Sequence, residues 1–280
     1  MRIALGVSYR GTAYQGWQSQ PGGVTVQDRL EAALAQFAGS ALTTICAGRT
    51  DTGVHALNQV VHFDTEIERE SASWLRGTNR YLPHDIGVQW CRIVSTQFHS
   101  RASARGRRYA YLLLESPVRP AMESGAVGWC FRALDGPAMR AAAQHLIGEH
   151  DFSAFRSAQC QAKSPVKTLK SIAIARHAAY WRFDFDASAF LHHMVRNLMG
   201  CLVAVGTGAR PAQWLAEILV ARDRALAAPT FAADGLYFLG PYYDAGLDIP
   251  RRTPAMDWLV GSPPAPHDPA NPDQDLRPDA

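Results

Sequence analysis

The order of strand-like and helix-like segments constrains this fold most, because a similar order occurs in both halves of the chain. In the first half, apolar residues alternate from Ile3 to Tyr9, which is typical of a strand. Thr25 and Asp28 have the spacing of a capping box, and this predicts a helix that begins after Thr25 and ends at Gly39. The remaining predicted elements of this half are strands at 43–47, 60–63 and 86–94 and a helix at 70–80.

The second half repeats this order of elements. A long strand is predicted through Tyr109, Tyr111 and Leu113, and a helix is predicted to start near Asp135. The later elements are strands at 171–176, 180–186 and 237–239 and helices at 189–205 and 211–221. Two similar runs of this kind predict two α+β subdomains that share one sheet.

Composition and cysteine usage indicate a soluble protein of the cytoplasm. Hydrophobic residues make up 47% of the 280 residues and charged residues 19%, which is ordinary for a globular domain. No apolar run is long enough to cross a membrane, and the N-terminus lacks the pattern of a signal peptide. The five cysteines are scattered and form no C-x-x-C pair, so we expect reduced thiols rather than disulfides or a zinc site.

Basic residues are unevenly distributed, although the net charge is only +3. The stretches 86–114, 152–183 and 187–216 contain arginine and lysine but no aspartate or glutamate. This asymmetry predicts a basic face whose natural partner is a polyanion such as nucleic acid. A solvated basic surface without a partner is the alternative explanation.

Asp51 lies in the turn AGRTDTGVHA and is the first candidate for a catalytic residue. Aspartic proteases also present their catalytic acid in an Asp-Thr-Gly turn, but they need two carboxylates that share one proton. The chain contains one such turn, and it is too long for a small dimeric protease with one turn per subunit. A protease is therefore disfavoured.

Arg196 is a candidate partner for Asp51. It lies in the predicted helix 189–205, whose apolar residues surround most of the helix, and a buried guanidinium must find a carboxylate or several acceptors. An ordinary structural ion pair or an arginine that reaches solvent fits the pattern equally well. His192 and His193 would diverge by about 100° on that helix, so we predict no metal site there. His55 and His62 fit packing or hydrogen-bonding roles better than catalysis. The glycines form no nucleotide-binding motif, so no cofactor is predicted.

Two segments mix basic or polar residues with aromatic ones. FHSRASARGRRYAY, at 98–111, could hold phosphates with its arginines and stack a base on tyrosine. YRGTAYQGWQSQ, at 9–20, could form a second contact. In both cases the alternative is structural: Tyr109 and Tyr111 belong to the core, and the loop at 9–20 only shapes a turn.

The turn and its surroundings resemble the tRNA pseudouridine synthase A family. GRTDTGVHALNQVVHFDT is similar to the signature of that family, and the resemblance extends through LPHDIGV, AFLHHMVRNLMG and GLYFLG, from about residue 2 to residue 245. The chain departs from the family pattern at Arg10, Thr52 and Ser100, and none of these changes removes the carboxylate.

The resemblance implies a pseudouridine synthase fold, in which two similar α/β subdomains share a mixed, mainly antiparallel sheet flanked by helices. The N-terminal subdomain, at 1–105, would carry the catalytic aspartate, and the subdomain at 106–248 would complete the cleft. The proline-rich segment 249–280 lies outside the resemblance, and we expect it to be mobile.

The resemblance also implies the roles of individual residues. Asp51 corresponds to the catalytic aspartate and Arg196 to the basic residue that pairs with it. Arg49 corresponds to the arginine that helps displace the target base, Tyr109 to the tyrosine that stacks on the uracil, and Leu236 to an apolar residue of the pocket. The implied substrate is the tRNA anticodon arm at uridines 38, 39 and 40. The implied enzyme is a homodimer without cofactor or metal.

Two alternative functions fit the same sequence features. One is a tRNA-binding or folding module without turnover, which needs the basic face but not a paired Asp51. The other is a related synthase that acts on other uridines.

Overall fold

The structure of the chain is a computed structural model that describes residues 1–250. Its centre is a ten-stranded sheet with the order β4-β1-β3-β10-β5-β9-β8-β7, to which β2 and β6 add short pairings with β3 and β5. The strands are β1 Arg2–Tyr9, β2 Ile45–Cys46, β3 His55–Asp64, β4 Ile86–Val94, β5 Gly106–Glu115, β6 Gly128–Cys130, β7 Gly148–Asp151, β8 Val166–His177, β9 Tyr180–Ala187 and β10 Leu236–Tyr242. The helices are α1 Val26–Ala38, α2 Ser71–Tyr81, α3 Gly136–Gln144, α4 Met194–Gly206 and α5 Trp214–Ala221.

The two halves of the sheet meet at β10, the last strand in the chain. This strand pairs in parallel with β3 and antiparallel with β5, so it joins the N-terminal strands to the C-terminal ones. The pairing of β5 with β6 is also parallel, and the remaining pairs are antiparallel. The predicted mixed, mainly antiparallel sheet flanked by helices is confirmed.

One large apolar cluster lies between the helices and the sheet. It includes Leu30 of α1 and Leu198 of α4, and on the sheet it includes Leu5 and Phe183, all of them fully buried. Burial of each such side chain contributes about 1.5–3 kcal/mol, so this cluster is the main source of stability. Strand residues that point the other way form two smaller clusters with loop residues such as Val127 and Phe98.

Helix α1 has the ends that its sequence predicts. The Thr25 hydroxyl accepts a hydrogen bond from the Asp28 amide at 3.3 Å, and the Asp28 carboxylate accepts one from the Thr25 amide at 3.2 Å. Gly39 ends the helix in the left-handed region with φ 77°, which glycine adopts without a steric penalty. The capping box is therefore confirmed.

The prediction for the helix at 189–205 is wrong at its start. Helix α4 begins at Met194, and residues 189–193 form no helix. His193 precedes the helix with φ 64° and ψ 1°, a left-handed conformation that cannot continue a right-handed helix. The argument that His192 and His193 diverge on a helix is wrong for the same reason.

Other boundaries differ in smaller ways. Strands β3 and β8 are longer than predicted, the strand at 43–47 shortens to β2, and α5 begins at Trp214 rather than at 211. Strands β6 and β7 were not predicted. The subdomain boundary at 105/106 stays a prediction, although β5 does begin at Gly106. The predicted mobile tail lies, from residue 251 onward, outside the described residues.

None of the helices in residues 1–250 is both long and apolar enough to span a bilayer.

Candidate active site

A cleft of about 960 Å³ opens between the two halves of the molecule. One wall is the loop between β2 and β3, with Gln15, Gln18 and Gln20 beside it. The other wall comes from residues 159–162 and 189–196, and Tyr109 and Leu236 also line the cleft. Its volume is at the upper end of the range for ligand pockets, so it can take a group as large as a nucleoside.

The Asp51 turn is held in place by its backbone. The Thr50 carbonyl accepts a hydrogen bond from the Trp17 amide at 3.0 Å, and the Asp51 carbonyl accepts one from the Val54 amide at 3.1 Å. Gly16, with φ 83°, packs directly against this turn, where a Cβ atom would lie 2.7 Å from the Thr50 carbonyl oxygen. The position of the carboxylate is therefore set by a close contact between two loops.

Arg196 contacts Asp51 across the cleft, as the sequence predicts. Its Nη1 donates a hydrogen bond to Asp51 Oδ2 at 3.2 Å, and its Nε donates one to the Phe231 carbonyl at 2.9 Å. The Arg196 and Asp51 side chains are 18% and 19% exposed. An ion pair at this depth is weakly screened but still open to a substrate.

Two histidines complete the surroundings of the carboxylate. His192 Nε2 lies 3.3 Å from Asp51 Oδ1, and His193 Nε2 lies 3.4 Å from Asp51 Oδ2. The two imidazole rings are 4.1 Å apart. The left-handed backbone at His193 brings both side chains to the same carboxylate, which a helix would not allow. Sequence reasoning missed this because no residue type in the segment requires a positive φ.

The environment of Asp51 favours its ionised form. Burial acts to raise the pKa of this carboxyl. A hydrogen bond from His192 and the charges of His193, His192 and Arg196 outweigh burial, so the pKa of Asp51 lies below its ordinary value. The group is a carboxylate at neutral pH and is therefore available as a nucleophile or base.

Tyr109 and Leu236 form the apolar floor of the cleft. The Tyr109 ring packs on Phe190 at 5.1 Å and on Phe238 at 4.9 Å between centroids. It is 9% exposed and lines the cleft, so the ring is part of the core and still borders the space that a ligand would occupy. Burial, with a further contribution from the charge of Asp51, raises the pKa of the Tyr109 phenol, which stays protonated.

The cleft is basic. Arg49, Arg101, Arg107 and Lys167 line it together with Arg196, and of the described residues Asp51 is the only acid in its lining. Arg49 is exposed at the mouth, and its Nη1 donates to Gln161 at 3.2 Å. Gln161 is a residue that the sequence interpretation did not single out. The predicted basic face is thus present where the carboxylate is.

A sequence model described as tRNA pseudouridine synthase matches residues 6–101 and 142–244, well over half of the chain. The chain belongs to the tRNA pseudouridine synthase family.

Close relatives match over nearly the whole chain. It is 75% identical to a protein named tRNA pseudouridine synthase A from Methylibium petroleiphilum, with 92% of this chain and 100% of that protein covered. Proteins of the same name from Paracidovorax citrulli and Polaromonas naphthalenivorans are each 64% identical, with the same coverage. A chain in a solved Cbf5-Nop10-Gar1 complex matches 72% of this chain and 45% of its own length, with a TM-score of 0.34 and 11% identity.

The two mixed segments have separate outcomes in this member of the tRNA pseudouridine synthase family. Tyr9, Tyr14 and Trp17 are buried, so the aromatic residues of 9–20 shape the loop, while Gln15, Gln18 and Gln20 of the same segment line the cleft, and the second contact stays a prediction. In 98–111, Arg101 and Arg107 reach the cleft. Arg105 instead pairs with Asp244 at 2.7 Å and does not line the cleft.

His55 and His62 have structural roles, as predicted. His55 Nδ1 accepts a hydrogen bond from the Gly11 amide at 3.1 Å, and His62 Nδ1 accepts one from the Ser100 amide at 3.2 Å. Both side chains are 2% exposed. Neither histidine lines the cleft.

Among the described residues, one group has side chains that could hold a metal ion, and it is Asp51 with His192 and His193. Their ligand atoms lie within 4.8 Å of one another. Two imidazoles and one carboxylate suit several transition metals. The five cationic side chains that line the same cleft oppose the approach of a dication. The prediction that no metal binds here stays a prediction.

Proposed function

We propose that this enzyme isomerises uridine to pseudouridine at positions 38, 39 and 40 of the tRNA anticodon stem-loop, with Asp51 as its catalytic residue. Membership of the family makes the chain an isomerase that acts on uridine in tRNA. The target positions and the role of Asp51 go beyond that membership. The observation that carries the proposal is an ionised, oriented carboxylate in a cleft whose other charged side chains are basic.

The chemistry matches this inventory of groups. The reaction breaks the bond between N1 of uracil and C1′ of ribose and forms a bond from C5 to C1′. A proton leaves C5 and a proton is gained at N1, so the product has the composition of the substrate. The reaction therefore requires no group donor and no oxidant. Asp51 can act by attack at C6, by attack at C1′ or by removal of a proton at C2′.

The remaining residues act on the base and on the tRNA backbone. A uridine in a stem must leave the helix before it can reach Asp51, at a cost of about a few kcal/mol. Arg49 lies exposed at the mouth of the cleft, where it can take the place of the displaced base. Tyr109 offers a surface for the uracil ring and Leu236 an apolar contact beside it. We expect Arg101, whose side chain is exposed at the cleft, to contact phosphates. Arg107 and Lys167 add positive charge to the cleft, although both already donate to backbone carbonyls.

The proposal also covers the assembly of the protein and its location in the cell. We expect a homodimer in the cytoplasm, with tRNA bound across both subunits. Light scattering of the purified protein, measured with and without tRNA, would give the mass of the assembly. A monomer in both conditions would contradict the homodimer.

The test of the function uses unmodified tRNA transcripts with uridine at 38, 39 and 40. Pseudouridine is mapped by chemical labelling and primer extension, with Asp51→Asn as the matched variant because it keeps the size of the side chain. We expect the wild-type protein to modify these uridines and the variant to bind the transcript but lose at least about 10³-fold in rate.

Other outcomes of that test would identify the rival functions. Modification of other uridines would identify a related synthase with different targets. Binding of tRNA without modification by either protein would identify a tRNA-binding module.

A further inference from the structure

The segment 228–231 lies along helix α4 and is bonded to it at both ends. The Ala228 amide donates to the sulfur of Cys201 at 3.3 Å, and the Phe231 amide donates to the Arg196 carbonyl at 3.1 Å. In return, Arg196 Nε donates to the Phe231 carbonyl at 2.9 Å. The segment therefore runs antiparallel to α4 and ends on the arginine that lines the cleft.

The middle of this segment lies unusually close to the helix. A Cβ atom at Gly200 would lie 2.3 Å from the Pro229 carbonyl oxygen, so only glycine allows the two backbones to approach in this way. The ring of Pro229 also fixes its own φ and limits how far the segment can move. The path of the segment is thus set by backbone contact before any polar side chain is considered.

A polar cluster of Thr230, Asn197 and Arg224 fastens the segment one residue before Phe231. The Thr230 hydroxyl donates to Asn197 Oδ1 at 2.7 Å. Arg224 Nη2 lies between them, 3.1 Å from Asn197 Oδ1 and 3.2 Å from the Thr230 oxygen. Asn197 is fully buried, and its Nδ2 donates to the Phe155 carbonyl at 2.8 Å. No member of this polar cluster lines the cleft.

We propose that this polar cluster positions the Arg196 guanidinium for its contact with Asp51, by way of the Phe231 carbonyl. The inference rests on the proposed catalytic role of Asp51. The three members of the cluster are positioning residues, because they act through the arginine and do not touch the substrate.

The geometry of the guanidinium explains how the effect is transmitted. The group is planar, so the bond from Arg196 Nε to the Phe231 carbonyl fixes the direction in which Nη1 points. Nη1 then donates to Asp51 Oδ2 at 3.2 Å. A shift of the segment moves the carbonyl, and the guanidinium turns with it or loses this acceptor. The carboxylate would then lose the partner that orients it, while the lining of the cleft stays the same.

The experiment measures kcat and KM for an unmodified tRNA transcript with variants that circular dichroism shows to be folded. Thr230→Val removes the hydroxyl and keeps the size of the side chain, whereas Thr230→Ser keeps the hydroxyl. Thr207→Val is the matched control at the opposite end of α4 from Arg196. The Thr207 hydroxyl donates to the Ala204 carbonyl at 3.2 Å, and Thr207 and Thr230 are both half-buried.

We expect Thr230→Val to lower kcat by about three- to tenfold with little change in KM, because a small misplacement of Arg196 affects the reaction more than it affects tRNA binding. Thr230→Ser should restore most of the wild-type kcat. Thr207→Val should keep the wild-type kcat and KM.

A double variant separates positioning from a general weakening of the fold. If the polar cluster acts through Arg196, adding Thr230→Val to Arg196→Ala should change the remaining kcat by less than about twofold. Single-turnover measurements give this kcat when the reaction is slow. A merely structural role would instead multiply the two losses.

The other outcomes are equally decisive. A wild-type kcat in Thr230→Val, an equal loss in Thr230→Ser, or an undiminished effect in the Arg196→Ala background would overturn the positioning role. If Thr230→Val does not fold, Arg224→Gln removes two bonds of the same cluster, and an unchanged kcat in that variant would overturn the role as well. A wild type that is inactive on tRNA, or an Asp51→Asn variant with full activity, would refute the proposed function and this inference with it.

Discussion

Two arginine–aspartate pairs in this molecule have equally exposed arginines but differ in how many hydrogen bonds the arginine makes. Arg2 and Arg196 are each 18% exposed. Arg2 binds both oxygens of Asp64, at 2.8 and 2.7 Å, and its third nitrogen donates to two backbone carbonyls. Arg196 binds one oxygen of Asp51 at 3.2 Å and one carbonyl.

The difference between the pairs separates stability from reactivity. Arg2 uses all three of its nitrogens within the protein and joins the N-terminal strand to the loop after β4, so it acts as a structural clamp. Arg196 donates one hydrogen bond to Asp51, at Oδ2, and uses its Nε on the Phe231 carbonyl. A carboxylate bound at both oxygens by one guanidinium would be more stable and less reactive.

Removing each arginine gives the largest expected effects and tests this comparison directly. Arg196→Ala should reduce kcat by about 10²-fold, because the carboxylate loses its orientation. Arg2→Ala should lower the free energy of unfolding by about 2 kcal/mol, because two carbonyls lose their donor, while the activity of the folded protein is unchanged. Steady-state kinetics and urea unfolding of both variants provide the measurements. If an Arg2 variant stays folded but loses activity, the distinction between a structural Arg2 and a site-positioning Arg196 is wrong.

A glycine substitution tests whether the backbone also positions Asp51. Gly16→Ala combines a left-handed φ of 83° with a Cβ only 2.7 Å from the Thr50 carbonyl oxygen. We expect a loss of roughly 2–4 kcal/mol in stability and a reduced kcat. Gly39→Ala is the matched control, because φ is 77° there and no atom lies within 4 Å of the added Cβ, so the strain of roughly 1 kcal/mol stands alone. Equal effects of the two substitutions, by thermal unfolding, would contradict the close contact.

His62 should make the stability of the fold depend on pH. Burial, reinforced by the charges of His99 and Arg2, lowers the pKa of His62 to about 4. Since its pKa in the unfolded chain is about 6.5, the neutral form stabilises the fold fully above that pH. This contribution, up to about 3 kcal/mol, is lost as the pH falls from 6.5 toward 4.

The measurement for His62 is urea unfolding across that pH range. His62→Gln should show a smaller decrease in stability with falling pH than the wild type, whereas the exposed His84→Gln should match the wild type. If His62→Gln keeps the full slope, another group is responsible for the acid sensitivity.

The smallest expected effects compare two tyrosines of β5. The Tyr111 hydroxyl donates to the Ala232 carbonyl at 3.0 Å, so Tyr111→Phe should destabilise the fold by about 1 kcal/mol. Tyr109→Phe keeps the ring that is proposed to stack on uracil, so we expect near-normal stability and less than about a fivefold change in kcat. Tyr109→Leu, which removes the aromatic ring, should weaken modification much more. A large defect in Tyr109→Phe would assign a role to the hydroxyl.

The sequence predicts those features that follow from periodicity and from the cost of burying charge. The cost of burying a guanidinium made Arg196 a candidate partner for Asp51, 145 residues away, and the family resemblance singled out this pairing among the alternatives. Strands such as β1 and β4 have clear alternation and nearly exact boundaries. The three-residue β6 and four-residue β7 are too short for a period to be visible, and pairing with longer neighbours determines them.

The approach of the histidines to Asp51 was not predictable in the same way. It depends on one positive φ at His193, where neither glycine nor asparagine marks the turn. The segment AFLHHMVRNLMG has helical periodicity from Ala189 onward, but tertiary packing delays the start of the helix to Met194.

The late position of β10 in the chain has a consequence for biosynthesis. This strand pairs Tyr237 with His55 and Phe238 with Ala56, and it supplies Leu236 to the cleft. In a nascent chain that has left the ribosome only as far as β9, the edges of β3 and β5 that pair with β10 are both still unpaired. Pairing β10 with β3 closes a loop of most of the chain, and non-local pairings of this kind form slowly. We therefore expect the cleft to be completed only after β10 has been made, and fragments that stop before β10 to be inactive and prone to pair with other exposed strands.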